Sequence, residues 1–223
     1  MNVLVIAPHP DDELLGCGGT LLRKSNEGDN IAWLLMTSIS EKYGWKEEFV
    51  HRRETEIRRV CDGLGIKNEN LFRFNFPTSK LDNEPLDNLI KKISEVIKSY
   101  EPNQVFLPYP GDVHSDHRIT FEAASACMKW FRHNSIKQVY LYETPSETDF
   151  SLDARYMKFT PNSFIDISQT FENKLKLLEI YASEIGDFPF PRSIDSIKSL
   201  AMHRGSQAGF RYAEAFQLIL NRL

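Results

Sequence analysis

The chain has 223 residues, 41% hydrophobic and 26% charged, with a formal net charge of -4, the profile of an ordinary globular protein long enough for one sizeable core. The acidic balance and the lack of any basic block argue against nucleic acid as the main partner, and no apolar run approaches the roughly 20 residues of a membrane-crossing helix. The N-terminal "MNVLVIAPHPDDE" carries neither a basic lead nor a cleavage site, and Cys17, Cys61 and Cys127 form no CxxC pair, so a reducing, cytoplasmic setting is expected.

In chain order, "VLVIA" (3–7) reads as a buried strand and the segment from Gly16 to Glu27 as a helix. "NIAWLLMTS" (30–38) is a second strand, followed by a helix with Phe49, Ile57, Val60, Cys61 and Leu64 at helical spacing and Gly65 as its stop. "NLFRFNF" (70–76) is a third strand, and "LDNLIKKISEVIKSY" is a helix striped by Leu89, Ile93, Val96 and Ile97. "QVFLPYP" (104–110) is a fourth strand, "HRITFEAASACMKWF" the next helix and "VYLYE" (139–143) a fifth strand. Strands alternating with helices imply right-handed crossovers and a mostly parallel, doubly covered sheet.

After about residue 145 the rhythm changes. "RYMKFTPNSFIDIS" is strand-like, "QTFENKLKLLEIYASEI" and "SIDSIKSLAMHRG" are helical, and "YAEAFQLIL" closes the fold as a C-terminal extension. No repeat or low-complexity linker divides the chain, which reads as one domain over 1–223.

Ligands of open parallel sheets collect beyond the carboxyl ends of the strands, where strand order reverses. Two loops qualify: "HPDDE" after the first strand and "GDVHSDHR" after the fourth. His51, His133 and His203 are isolated, whereas His9, His114 and His117 sit in these loops beside aspartates. A turn lets His9 and Asp12 share one cation, with His117 as a third ligand. Two nitrogens and a carboxylate oxygen suit zinc, and three protein ligands leave a position for water, as in catalytic sites. Iron(II) or cobalt could occupy the same ligands. An unligated carboxylate could then take a proton from that water, although spacing does not decide between Asp11 and Asp12. Each loop alone has a plainer reading, since adjacent aspartates after a strand often cap a helix and favour its dipole. Two such loops on strands that can be neighbours outweigh it. "GCGGT" lacks the full GxGxxG pattern and a P-loop lysine, so close helix packing is its expected role, with Cys17 a small packing residue.

"APHPDDELLGCGGTL" together with "DVHSDHR" resembles the LmbE/PIG-L family of zinc-dependent de-N-acetylases, which act on N-acylated amino sugars. "RRETEIRRVCDGLGI" and "HRGSQAGFRYAEAFQL" extend the resemblance over essentially the whole chain. It implies a Rossmann-like α/β fold, His9, Asp12 and His117 as zinc ligands, and Asp11 as general base. It further implies that His114 stabilises the oxyanion or protonates the departing amine and that Asp116 orients and charges a histidine. Arg53, or its neighbour Arg52, would contact substrate, and Asp112 would face sugar hydroxyls. Some family members carry a catalytic tyrosine where this chain has Asp112, which shifts acid catalysis towards His114. Glu13 would buttress the loop or cap the helix.

The expected partner is therefore a small N-acetylated amino sugar or its conjugate, which includes nucleotide-linked sugars. A homo-oligomer is compatible with the chain but not required by it. A receiver-like magnesium module would need an acid after the third strand and a lysine after the fifth, and "PTSK" and "TPSE" supply neither there. A member that binds metal and sugar without turnover is a further alternative. The segments 38–45, 77–87 and 144–156 are candidate pocket walls, with Tyr43, Trp45, Phe150 and Tyr156 able to stack on a sugar or pack under loops.

Overall fold

The run Val3–Ala7 is apolar at every position, which suits only a strand covered on both faces. The computed structural model describes residues 1–152 and 158–222. In chain order they form β1 (Asn2–Ala7), α1 (Asp12–Asn26), β2 (Asn30–Ser38), α2 (Glu47–Leu64), β3 (Leu71–Pro77), α3 (Leu86–Tyr100) and β4 (Gln104–Pro108). Then follow α4 (Ser115–Ser125), β5 (Gln138–Tyr142), β6 (Ser163–Asp166), α5 (Phe171–Leu178), α6 (Ile194–Ala208) and β7 (Ala213–Asn221). The strands make one seven-stranded sheet in the order β3-β2-β1-β4-β5-β7-β6. The first five are parallel, and β7 runs antiparallel to both β5 and β6.

Each face of the sheet has its own core. Val3, Val5 and Ala7 pack with Leu14, Leu21, Ile57, Val60 and Leu64 from α1 and α2, whereas Leu4 and Ile6 pack with Leu89, Ile93, Ile97 and Ala123 from α3 and α4. The chain leaves β1 towards β2 and β3 and then returns to lay β4 against the other side of β1, with Val3 opposite Gln104. The reversal of strand order thus falls between β1 and β4, where a ligand crevice opens at the carboxyl ends. Among the described residues no helix is long and apolar enough to cross a membrane. All three cysteines are free and buried.

Several elements differ from their sequence signals. The C-terminal strands join the main sheet, so the extension completes the fold from within. Residues 153–157, Tyr156 among them, lie outside the described residues, and the described part of the strand-like segment, 158–168, holds only the four-residue β6. The helix expected over 169–185 stops at Leu178 and continues as a single 3-10 turn that buries Tyr181. The helix after β4 begins at Ser115, capped by His114, and ends at Ser125, leaving Trp130 and Phe131 exposed. Histidine is an uncommon cap, so the helix start has no sequence signature.

The helix α1 begins at Asp12, earlier than its apolar pattern suggests, and is interrupted at Cys17 (φ -146°, ψ 18°). The broken ladder frees backbone groups that the C-terminal half satisfies. Glu214 on β7 accepts the N–H groups of Gly19 and Thr20 at 2.8 and 2.7 Å, and Lys174 on α5 donates to the Leu15 carbonyl at 3.0 Å and to Glu214 at 2.6 Å. Close packing explains the glycines here: a Cβ on Gly16 would stand 2.3 Å from the Tyr142 ring. Lys174→Met would leave Glu214 as a buried charge without its cation. It should lower the unfolding free energy by about 3 kcal/mol in urea denaturation; a loss below about 1 kcal/mol would mean that the helix N–H groups alone hold Glu214.

Candidate active site

The loops leaving β1 and β4 converge above the strand reversal. Asp12, the first residue of α1, turns its carboxylate inwards and is 1% exposed. Its Oδ2 accepts the His9 backbone N–H at 2.9 Å and lies 3.4 Å from His9 Nδ1 and 3.3 Å from His117 Nε2. A tetrahedral cation with ligand bonds of about 2.0–2.1 Å has ligand–ligand edges of about 3.3 Å. The two separations from Asp12 therefore already match such a site. The other nitrogen of each ring meets a further carboxylate: His9 Nε2 lies 2.9 Å from Asp116 Oδ2, and His117 Nδ1 lies 2.8 Å from Asp112 Oδ2. Such outer carboxylates fix ring orientation and raise the basicity of a ligating histidine.

Burial works to keep these imidazoles neutral, but the carboxylates outweigh it. His9 rises to about 9 through Asp116 and Asp12, and His117 to about 10 through Asp12 and Asp112. Asp12, which burial alone would raise, is held well below the usual carboxylate range by His117 and His9. Asp116 is fixed from below by the backbone N–H groups of Ser79 and Leu81 at 2.7 and 3.0 Å. A second group that could hold a cation, His9, His114 and Asp116, shares His9 with the first.

His114 differs from its neighbours. Its Nδ1 accepts the Asp116 N–H at 3.1 Å as the cap of α4, and burial together with the His9 and His117 rings pushes it down to about 4. A neutral ring whose Nδ1 is an acceptor carries its proton on Nε2. His114 is therefore a hydrogen-bond donor while uncharged.

Asp11 adopts φ 124° and ψ -31°, a conformation strained for any residue but glycine, of a kind that costs about 1–3 kcal/mol. Four contacts hold it there. Its N–H donates to Glu13 Oε2 at 3.0 Å, its carbonyl accepts from Leu14 and Leu15 at 3.0 and 2.8 Å, and its Oδ2 accepts from Arg192 Nη1 at 2.6 Å. Burial, helped by Asp12 and opposed by Arg192, raises Asp11 to about 7, in the range where a carboxylate can both take and release a proton. Glu13, raised by burial to about 8, accepts from the Tyr181 hydroxyl at 3.1 Å and so buttresses the loop from below.

His9, Asp11 and His114 line a cavity of about 340 Å³. Its walls include Ser38 at the end of β2 with Ile39 and Trp45 after it, Thr78 after β3 and Glu147 after β5, one or more from each segment expected to form them. Tyr43 and Phe150 are exposed and do not line it. Arg52 and Arg53 both line it. Arg53 is the more firmly held, donating to the Pro10 carbonyl at 3.2 Å, paired with Glu184 and lying over the Tyr181 ring. Asp112 departs from the expectation that it faces sugar hydroxyls. It is 1% exposed, with Oδ2 on His117 and Oδ1 accepting from Thr148 at 2.6 Å. Sequence reading missed Arg192, Glu184 and Tyr181: the last two lie in the stretch read as a helix and Arg192 in no motif, and only the fold brings them to the site.

A family model described as PIG-L, GlcNAc-PI de-N-acetylase, matches residues 4–128. The chain is 28% identical to a diacetylchitobiose deacetylase of Thermococcus kodakarensis, over 98% of this chain and 83% of that one. It is 25% identical to a probable N-acetyl-alpha-D-glucosaminyl L-malate deacetylase of Bacillus cereus, over 82% and 83% of the two chains. The structure of an N,N'-diacetylchitobiose deacetylase from Pyrococcus horikoshii superposes with a TM-score of 0.76 at 25% identity, covering 98% of this chain and 84% of that one. By a match that spans more than half its length, from β1 through α4 and both converging loops, the chain belongs to the PIG-L (LmbE-like) de-N-acetylase family.

Proposed function

We propose that this protein is a hydrolase that removes the N-acetyl group from an amino sugar or amino-sugar conjugate, with zinc held by His9, Asp12 and His117. The observation that carries this reading is the pair of separations from Asp12 Oδ2 to His9 Nδ1 and His117 Nε2, 3.4 and 3.3 Å, with Asp11 beside them on the cavity wall. When bound, the cation supplies Lewis acidity, polarising the amide carbonyl and acidifying a water; iron(II) would serve the same donors. The relatives described above, named for N-acetylated glucosamine compounds, support the substrate class.

The chain's own residues divide the remaining work. Asp11 takes a proton from the attacking water as its oxygen bonds to the acetyl carbon. His114, donating from Nε2, stabilises the oxyanion that develops. The C–N bond then breaks, the amine leaves with the proton that Asp11 returns, and acetate remains. Asp116 and Asp112 orient His9 and His117, and Arg53 contacts the sugar or its aglycone. We read residues 1–223 as one domain, and its reduced cysteines favour a cytoplasmic setting.

Acetate release should be measured on N-acetylglucosamine, N,N'-diacetylchitobiose and an N-acetylglucosaminyl malate, beside the metal content of the purified protein. About one zinc per chain with acetate released from one class is the expected result; metal without release from any would favour a protein that binds sugar without turnover. Asp11→Asn should lose roughly 10²–10⁴ in rate and keep its metal, whereas Asp12→Ala and His117→Ala should each lose metal. Stoichiometric zinc in both of the latter would contradict the ligand set. The carboxylates around His9 and His117 raise them to about 9 and about 10, so both rings should carry a proton at pH 7 when no metal is bound. Zinc must displace those protons, so titrating it into weakly buffered protein should acidify the solution, with affinity rising as pH rises from 6 to 8. Binding without proton release would show that other atoms hold the ion.

A further inference from the structure

Arg192 lies in the segment between the 3-10 turn and α6, far from both motif loops, yet it touches the residue assigned above as the base. Its side chain is 15% exposed and spans three walls of the cavity. Nε donates to Ser146 Oγ at 2.8 Å and Nη2 to Glu147 Oε1 at 3.3 Å, both from the loop after β5. Nη1 donates to Asp11 Oδ2 at 2.6 Å and lies 3.7 Å from Glu184 Oε2. A guanidinium anchored at its Nε and at one terminal nitrogen has no rotational freedom left for the other, so Nη1 is delivered to one point in space.

That point matters because the backbone of Asp11 is strained. A carboxylate on a residue at φ 124° would swing with its peptide if it were tied only through the main chain. Glu13 holds the N–H of Asp11 and Arg192 holds its carboxylate, so the residue is fixed from both ends. We infer that Arg192 is a positioning residue: by holding Asp11 Oδ2 through a guanidinium anchored on Ser146 and Glu147, it presents Oδ1 as the oxygen that takes the proton. The inference rests on the reading of Asp11 as the base. It gives the loop after β5 and the segment before α6 a part in catalysis without contact with the reacting atoms.

The first test needs no substrate. In a crystal structure of Arg192→Ala, the Asp11 carboxylate should move by more than about 1 Å, the scale on which misplacement impairs catalysis, or occupy more than one rotamer, while His9, Asp12 and His117 stay in place. An Asp11 side chain unchanged in that structure would overturn the inference. In the zinc-loaded variant, kcat should fall about 100-fold with KM within about threefold and zinc still stoichiometric. Guanidinium chloride, kept well below its denaturing range, should recover part of the rate, as should Arg192→Lys. A rise in KM with kcat unchanged would make Arg192 a substrate contact, and loss of zinc would make it structural; either result overturns the positioning role. Asp11→Asn, measured alongside, separates the two claims. If it turns over like the wild type, the base assignment fails whatever Arg192 does. If it is inactive while Arg192→Ala is unimpaired, the base assignment stands and the positioning role falls.

Discussion

The arrangement depends on one buried carboxylate. Asp12 sits above the carboxyl ends of β1 and β4, where strand order reverses, and an ionised group so far from water must be matched by positive charge. Two imidazoles supply it, and each is in turn backed by a further carboxylate, Asp116 behind His9 and Asp112 behind His117. With these three carboxylates ionised and both rings protonated, the cluster carries one negative charge. Exchanging the two ring protons for a divalent cation leaves that charge unchanged.

A second constraint concerns Asp11, next in sequence. In the proposed reaction Asp12 is a fixed, charged ligand, whereas Asp11 as the base stands free of the cation with its carboxyl raised towards neutral pH. The chain separates the two by placing Asp11 at positive φ, so that successive carboxylates leave the backbone in different directions. That conformation is over-determined from the far end of the chain: Tyr181 supports Glu13, Glu13 holds the Asp11 N–H, and Arg192 holds its side chain. The C-terminal half also splices the broken α1 through Lys174 and Glu214. The family model matches up to residue 128, yet Lys174, Tyr181, Arg192 and Glu214 lie beyond it.

The neutral ring of His114 stands beside these groups. Three imidazoles lie together, with the His114 ring centroid 4.5 Å from that of His9 and 5.6 Å from that of His117, and neighbouring carboxylates raise the proton affinity of the other two. A third positive ring there is disfavoured by burial and repulsion. Capping α4 through Nδ1 lets the ring remain neutral and still offer an N–H at Nε2, which is what the proposed oxyanion contact requires.

The sequence by itself determined the alternation of strands and helices, the pairing of the His9–Asp12 and His114–His117 loops, and the family. Each of these is local: apolar runs of period two or 3.6 and residues a few positions apart are visible before folding. Asp11 and Asp12, by contrast, are interchangeable in spacing, and the resemblance rather than periodicity distinguished them. Only the tertiary structure decided that Asp11 lies at φ 124°, that Asp112 backs His117 instead of facing the cavity, and that His114 caps a helix with Nδ1. It alone brought Arg192 to Asp11 across 181 positions of sequence. Such contacts leave no periodic trace, because a single arginine in "FPFPRS" acquires its meaning from three walls that the sheet topology assembles around it.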